Sequence, residues 1–223
     1  MILIPVSTIV YFYGMYKRIL CCALVALVCL GCTPRVSYSV RTLHIDPWFS
    51  GRNLSNAAIA LLPLLSAKGT IKNEELESEK MAVMIQDLRT DLKFASYVEF
   101  EDGFPPRFDK REIAKFYKAL FSEEMLAAKG MDSIWKYARQ PYILVFSLAD
   151  GASIRNMDSS VFKQVSVRCD LWSRDNRAVV WRADCKGVSD DVNVDDRGLI
   201  LESMRLLAKE IPQTLPNYGR ESW

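Results

Sequence analysis

Histidine is almost missing from this sequence: His44 is the only one among 223 residues. No Gly-x-Ser-x-Gly elbow accompanies it, so nucleophilic hydrolysis of the usual kind has no sequence support. The ten glycines are scattered, which leaves no glycine-rich loop to cradle a phosphate. Excess charge is missing too. There are 29 Lys and Arg against 27 Asp and Glu, interspersed rather than clustered. A nucleic-acid binder is expected to carry a basic stripe, and none is present. Cysteine is scarce past the first 32 residues, where only Cys169 and Cys185 occur. With one histidine these make no zinc site of standard spacing, so no metal or other cofactor is expected.

What is present begins with Met15-Tyr16-Lys17-Arg18, two positive charges followed by an unbroken apolar run to Leu30-Gly31-Cys32. Basic start, apolar middle and small residue before the end are the parts of a secretory signal peptide. The ending looks like a bacterial lipobox, with Cys29 standing where Leu is usual. Cys32 is then the lipidation site, carrying palmitate-type acyl chains and becoming the first mature residue. The run from residue 19 to 31 is shorter than the roughly 20 residues a spanning helix needs. Residues 1–14 carry no charge and read as a mis-called start, with 15–31 the signal. Lys17 and Arg18 leave with it, so the mature chain is near neutral. Thr33 lacks the Asp that favours inner-membrane retention, and the expected location is the periplasmic face of the outer membrane.

The body reads as one α/β domain over 56–212, between a lipid-anchored tether (32–55) and a tail (213–223). Its hydrophobic content of 50% argues against disorder. The tether is expected to add a short strand near 37–43. The apolar run 57–65 reads as a buried strand, with Pro63 placed where no N–H is needed. Asn73 is a candidate cap for a helix carrying Met81, Met84, Ile85, Leu88 and Leu92 at helical spacing. A strand is expected at 97–100. A helix capped by Asp109 is expected next, broken at Gly130 and resumed over 131–139. A strand over 142–148 is expected to stop at Asp150-Gly151.

Residues 161–172 alternate, with Val161, Val165, Val167, Cys169 and Leu171 on one side and Gln164, Ser166, Arg168 and Asp170 on the other. Residues 179–185 alternate likewise, which gives a hairpin with one buried side. A turn at 175–177 sets Cys169 opposite Ala183 and makes Cys185 its diagonal neighbour at roughly 7–8 Å. Buried free thiols are expected over a disulfide between Cys169 and Cys185, with the disulfide left open. A final helix ends at Pro212. The order is β-α-β-α-β-β-β-α, a mixed sheet packed against helices.

Two sets of charged residues imitate chemistry. Asp191-x-Asn193-x-Asp195 with Glu202 resembles a calcium loop, but Asp196 occupies the position where the turn needs glycine. Helix capping by Asp195 or Asp196 is the expected role. Glu99, Glu101 and Asp102 lie too close together for a paired acid and base.

The run Ile59-Ala60-Leu61-Leu62-Pro63-Leu64, then Pro141-Tyr142-Ile143-Leu144-Val145-Phe146, then the meander ending Ala178-Val179-Val180-Trp181, resembles a superfamily of bacterial envelope lipoproteins. It includes the penicillin-binding-protein activator lipoproteins, the curli-secretion lipoprotein and the N-terminal domain of the Tol–Pal translocation protein. The resemblance covers residues 56–212. The hairpin turn lacks the Thr-Gly common there, and the helical stretch 109–139 is extended. It implies a mixed sheet on helices and non-catalytic protein–protein work in envelope assembly or maintenance. The expected partners are membrane lipid through Cys32 and another envelope protein, with no nucleic acid. Trp172, Arg168 and Arg182, on the polar side of the hairpin, form the expected interface. The alternative is a ligand-binding or hydrolytic lipoprotein whose site is assembled from dispersed residues.

Overall fold

A computed structural model describes residues 35–66, 69–70, 74–106, 108, 110–122, 132–155 and 161–214. All but Arg35 belong to one compact unit, Val36–Trp223. The expected signal, Cys32, the caps Asn73 and Asp109, and the break at Gly130 lie outside the described residues.

The core of the unit is a mixed sheet. Its strands are β1 (Val36–Ile45), β2 (Ala58–Leu61), β3 (Leu65–Ser66), β4 (Gly69–Thr70), β5 (Lys93–Ala95), β6 (Tyr142–Arg155), β7 (Val161–Ser173) and β8 (Ala178–Ser189). The spatial order is β1-β8-β7-β6-β2-β5, with β3 also on β6 and β4 on β3. β2 runs parallel to β5 and β6, while β6, β7, β8 and β1 are successively antiparallel. The helices are α1 (Glu74–Leu88), α2 (Tyr97–Glu101), α3 (Lys110–Ser122), α4 (Asp132–Tyr137) and α5 (Asp196–Glu210). The α/β class and mixed sheet expected from the sequence are what the chain adopts.

Tyr142-Ile-Leu-Val-Phe146 needs both faces covered, because its apolar residues do not alternate with polar ones. Leu144 and Phe146 join one core, with Met81 and Ile85 of α1 and Leu199, Met204 and Leu207 of α5. Ile143 and Val145 join a second, with Phe100 of α2, Phe116, Tyr117 and Leu120 of α3, and Trp135 of α4. The sheet is therefore sandwiched between an aliphatic layer and an aromatic layer.

Several expectations are corrected. The expected strand 97–100 is helix α2. The Ser96 hydroxyl accepts from the Glu99 N–H at 3.2 Å, an N-cap that outweighs the β-preference of Tyr97 and Val98. The strand at this place is β5, just before it. Asp150-Gly151 does not end β6, which continues to Arg155 through a register shift between Leu148 and Asp150. A bulge absorbs the turn-forming pair without ending the ladder. The run 57–65 is two strands: β2 and β3 flank Leu62-Pro63-Leu64, so Pro63 falls between ladders that both lie on β6. β1 is longer than expected and pairs β8 from Val36 opposite Ser189 to Ile45 opposite Trp181, with a register shift between Thr42 and His44.

The C-terminal end of α5 is clasped to the rest. Buried Arg89 donates to the carbonyls of Ala208, Ile211 and Pro212, and its guanidinium pairs with both oxygens of Asp91 at 2.8 Å. Asp91 in turn accepts from the N–H and hydroxyl of Thr214. The arginine thus satisfies helix-end carbonyls that have no partner in the helix. Gly51 lies beneath this segment: a Cβ there would sit 1.7 Å from the Gln213 carbonyl oxygen.

Candidate functional site

The polar side of the β7–β8 hairpin gathers the most charge around one buried group. Arg168 and Asp170 are two apart on β7 and so share a face. Arg182 lies directly opposite Asp170 on β8. Asp170 is 1% exposed. Arg182 Nε donates to its Oδ1 at 2.6 Å and Nη2 to its Oδ2 at 3.2 Å. Arg168 Nε lies 3.2 Å from Oδ2, and its Nη2 donates to the Phe121 carbonyl at 3.0 Å, in the last turn of α3. Two guanidinium groups thus hold one buried carboxylate, and one of them also ties the hairpin to a helix end.

The next row continues the pattern. Arg168 faces Asp184, which faces Arg41 of β1, with Arg41 Nη2 3.4 Å from Asp184 Oδ2. Charges alternate across three strands, as opposite-charge cross-strand pairs should. Lys186 extends this face and is exposed.

Trp172 belongs to none of this, which corrects the expected interface. It is 4% exposed and sits in the aromatic core, 6.3 Å ring to ring from Trp135. Trp135 contacts Phe116 at 5.6 Å, and Phe116 stacks on Phe100 at 6.0 Å. Trp172 is one row from Asp170 on the same face, but there the helices of the second layer cover the sheet. Arg168 and Arg182 are brought together, though as braces of Asp170 rather than as freely exposed side chains. The missing signal was tertiary: only the return of α3 over the sheet tells a polar face that stays wet from one that is covered.

On the other side of the hairpin Cys169 and Cys185 are free buried thiols. The register sets Cys169 opposite Ala183 and Cys185 opposite Val167. Burial pushes both thiols up from the ordinary cysteine value.

The calcium-like sequence folds into caps and turns. Asp191 accepts from the Asn193 N–H at 2.8 Å, and Asp195 caps α5 by accepting from the Arg197 N–H at 3.1 Å. Lys163 Nζ donates to the Val194 carbonyl at 2.7 Å and pairs with Asp196 at 2.9 Å. An ammonium therefore already sits against this loop. Among the described residues no cluster of three or more His, Cys, Asp or Glu could hold a metal. His44 is exposed on β1, in register with Arg182. Glu101, in α2, accepts from the Tyr117 hydroxyl at 2.6 Å.

Among the described residues, four of the seven exposed large apolar side chains lie on β1 and the turn after it, Val36, Leu43, Ile45 at 52% and Trp48 at 91%, while Val83, Val98 and Val192 are scattered elsewhere. Sequence reading did not single them out, because exposure of an edge strand is set by which strand it pairs with.

No family model matches the chain, and no curated protein matches it. Among solved structures it is similar to the PelC dodecamer from Paraburkholderia phytofirmans, at 13% identity and a TM-score of 0.40, covering 78% of this chain and 96% of that one. It is similar to the lipoprotein GNA1162 from Neisseria meningitidis, at 13% identity and a TM-score of 0.41, over 70% and 97%. It is also similar to the protein XCC0632 from Xanthomonas campestris, at 8% identity and a TM-score of 0.35, over 77% and 88%. Among the described residues no helix is long and apolar enough to cross a membrane.

Proposed function

We propose that this chain is a bacterial envelope lipoprotein, acylated at Cys32, held on the periplasmic face of the outer membrane, and acting through non-catalytic contact with another envelope protein. The observation that carries this reading is the leader: Lys17-Arg18, an apolar run, then Leu30-Gly31-Cys32. The contact patch we assign is the polar face of β7, β8 and β1, where Arg41 and Lys186 point outward beside the braced Arg168 and Arg182. Charged rims of this kind steer association and set register more than they add affinity.

The test is affinity capture of the full chain from envelope extracts in mild detergent, read by mass spectrometry. An envelope protein retained by the native chain and lost from an Arg41→Glu, Lys186→Glu double variant supports the reading. Recovery of no envelope protein contradicts the partner role.

A further inference from the structure

β1 is an edge strand of the sheet. It is ten residues long and contains neither lysine nor proline; the charge of Arg41 and the register shift between Thr42 and His44 are its defences against pairing with another strand. Leu43 and Ile45 are exposed near its end, and the Asp46-Pro47-Trp48 turn holds Trp48 almost wholly in solvent. The turn is fixed: Asp46 accepts from the Trp48 N–H at 2.8 Å, and the Asp46 N–H donates to the Val180 carbonyl at 2.9 Å. Charge follows the same segment. Residues 35–55 contain Arg35, Arg41 and Arg52 against the single acid Asp46.

What covers this edge is constrained by the chain before it. Only residues 33–35 separate Cys32 from Val36. Four residue steps reach at most about 14 Å, so acylation at Cys32 keeps the first end of β1 at the bilayer. A ten-residue strand spans about 33 Å, and its far end bears Leu43, Ile45 and Trp48. Apolar and indole side chains beside arginine are the composition that sits at the headgroup level of an anionic membrane.

We propose that β1 is the seat of the domain on an anionic lipid surface, with Leu43, Ile45 and Trp48 entering the headgroup region beside Arg52. The position of the strand's first end rests on the acylation of Cys32 proposed above; the far end rests on the exposed side chains alone.

The experiment places the full chain on vesicles of phosphatidylethanolamine and phosphatidylglycerol containing acyl-brominated lipid and reads tryptophan quenching. Trp135, Trp172 and Trp181 are buried, and the Trp48→Phe chain reports what every other tryptophan contributes. The expected result is quenching that Trp48→Phe abolishes and Ile45→Ser reduces. A Cys32→Ser chain, which has no acyl anchor, still binds these vesicles, and Arg52→Gln weakens that binding about five-fold. Equal quenching in native and Trp48→Phe chains, with the acylated chain vesicle-bound, overturns the seat and leaves the anchor standing. Trp48-dependent quenching in a native chain whose Cys32 carries no acyl mass supports the seat and overturns the anchor. Shielding of Trp48 from both brominated lipid and aqueous acrylamide identifies a protein cover, such as a second copy, and overturns the seat.

Discussion

The two faces of the β7–β8 hairpin are held by opposite rules. On one, Val167, Cys169, Leu171, Ala183 and Cys185 lie dry against α5. On the other, Arg168, Asp170 and Arg182 form a nearly buried ionic group. A dry face gains stability from each apolar group removed from water and loses it in proportion to the cavity left. An ionic group recovers by pairing what its desolvation costs, so its net contribution is small while the penalty for losing one member is large. The two faces should therefore respond differently to substitution, although they alternate along the same strands.

The largest expected effect is at Asp170. Asp170→Ala strands two guanidinium groups and should cost about 4 kcal/mol in urea unfolding. Replacing Arg168, Asp170 and Arg182 together by Met, Leu and Met should cost much less, or stabilise. Equal losses from the single and the triple variant would break the contrast between the faces. On the dry side Leu171→Ala should cost about 3 kcal/mol, with no rescue by any second substitution of the ionic group. Cys169→Ser places an unpaired hydroxyl at the same depth and should cost about 2 kcal/mol. Neither thiol should react with a thiol reagent at pH 8 until urea unfolds the chain. Reaction at the native rate of a free thiol would place the cysteines outside the core.

A smaller effect separates this hairpin from the clasp at the end of α5. The guanidinium of Arg89, followed by the Thr214 donors, holds the Asp91 carboxyl at about 2, below the ordinary 3.8. The folded chain thus binds fewer protons at Asp91 than the unfolded chain. The stabilisation is fully present above about pH 4 and is lost as pH falls from 4 toward 2. Allowing for the partial exposure of Asp91, Asp91→Asn should cost about 1–2 kcal/mol at pH 7 and almost nothing at pH 2. A constant cost across that range would show that the ion pair does not stabilise the clasp.

The dry face of the hairpin was legible in the sequence down to the Cys169–Ala183 pairing, because period-two alternation and a short turn determine both face and register. The ionic face was legible in composition but not in burial. That Asp170 is sealed and Trp172 covered depends on α3 and α4, which lie roughly 35 to 60 residues earlier in the chain. Local chemistry explains the other gaps. Ser96 and Glu99 signalled a helix start that the apolar flavour of 97–100 masked. The register shift after Leu148 let β6 continue past a pair of residues that usually ends a strand. The cluster of Leu43, Ile45 and Trp48 became a surface only once β1 was seen to be the edge.

The central claim, a domain tied to a membrane through Cys32, is tested most directly by the intact mass of the chain purified from envelopes. The account predicts a chain that begins at Cys32 and carries acyl mass on it. A chain that begins before Cys32, or whose Cys32 is a free thiol, would contradict it.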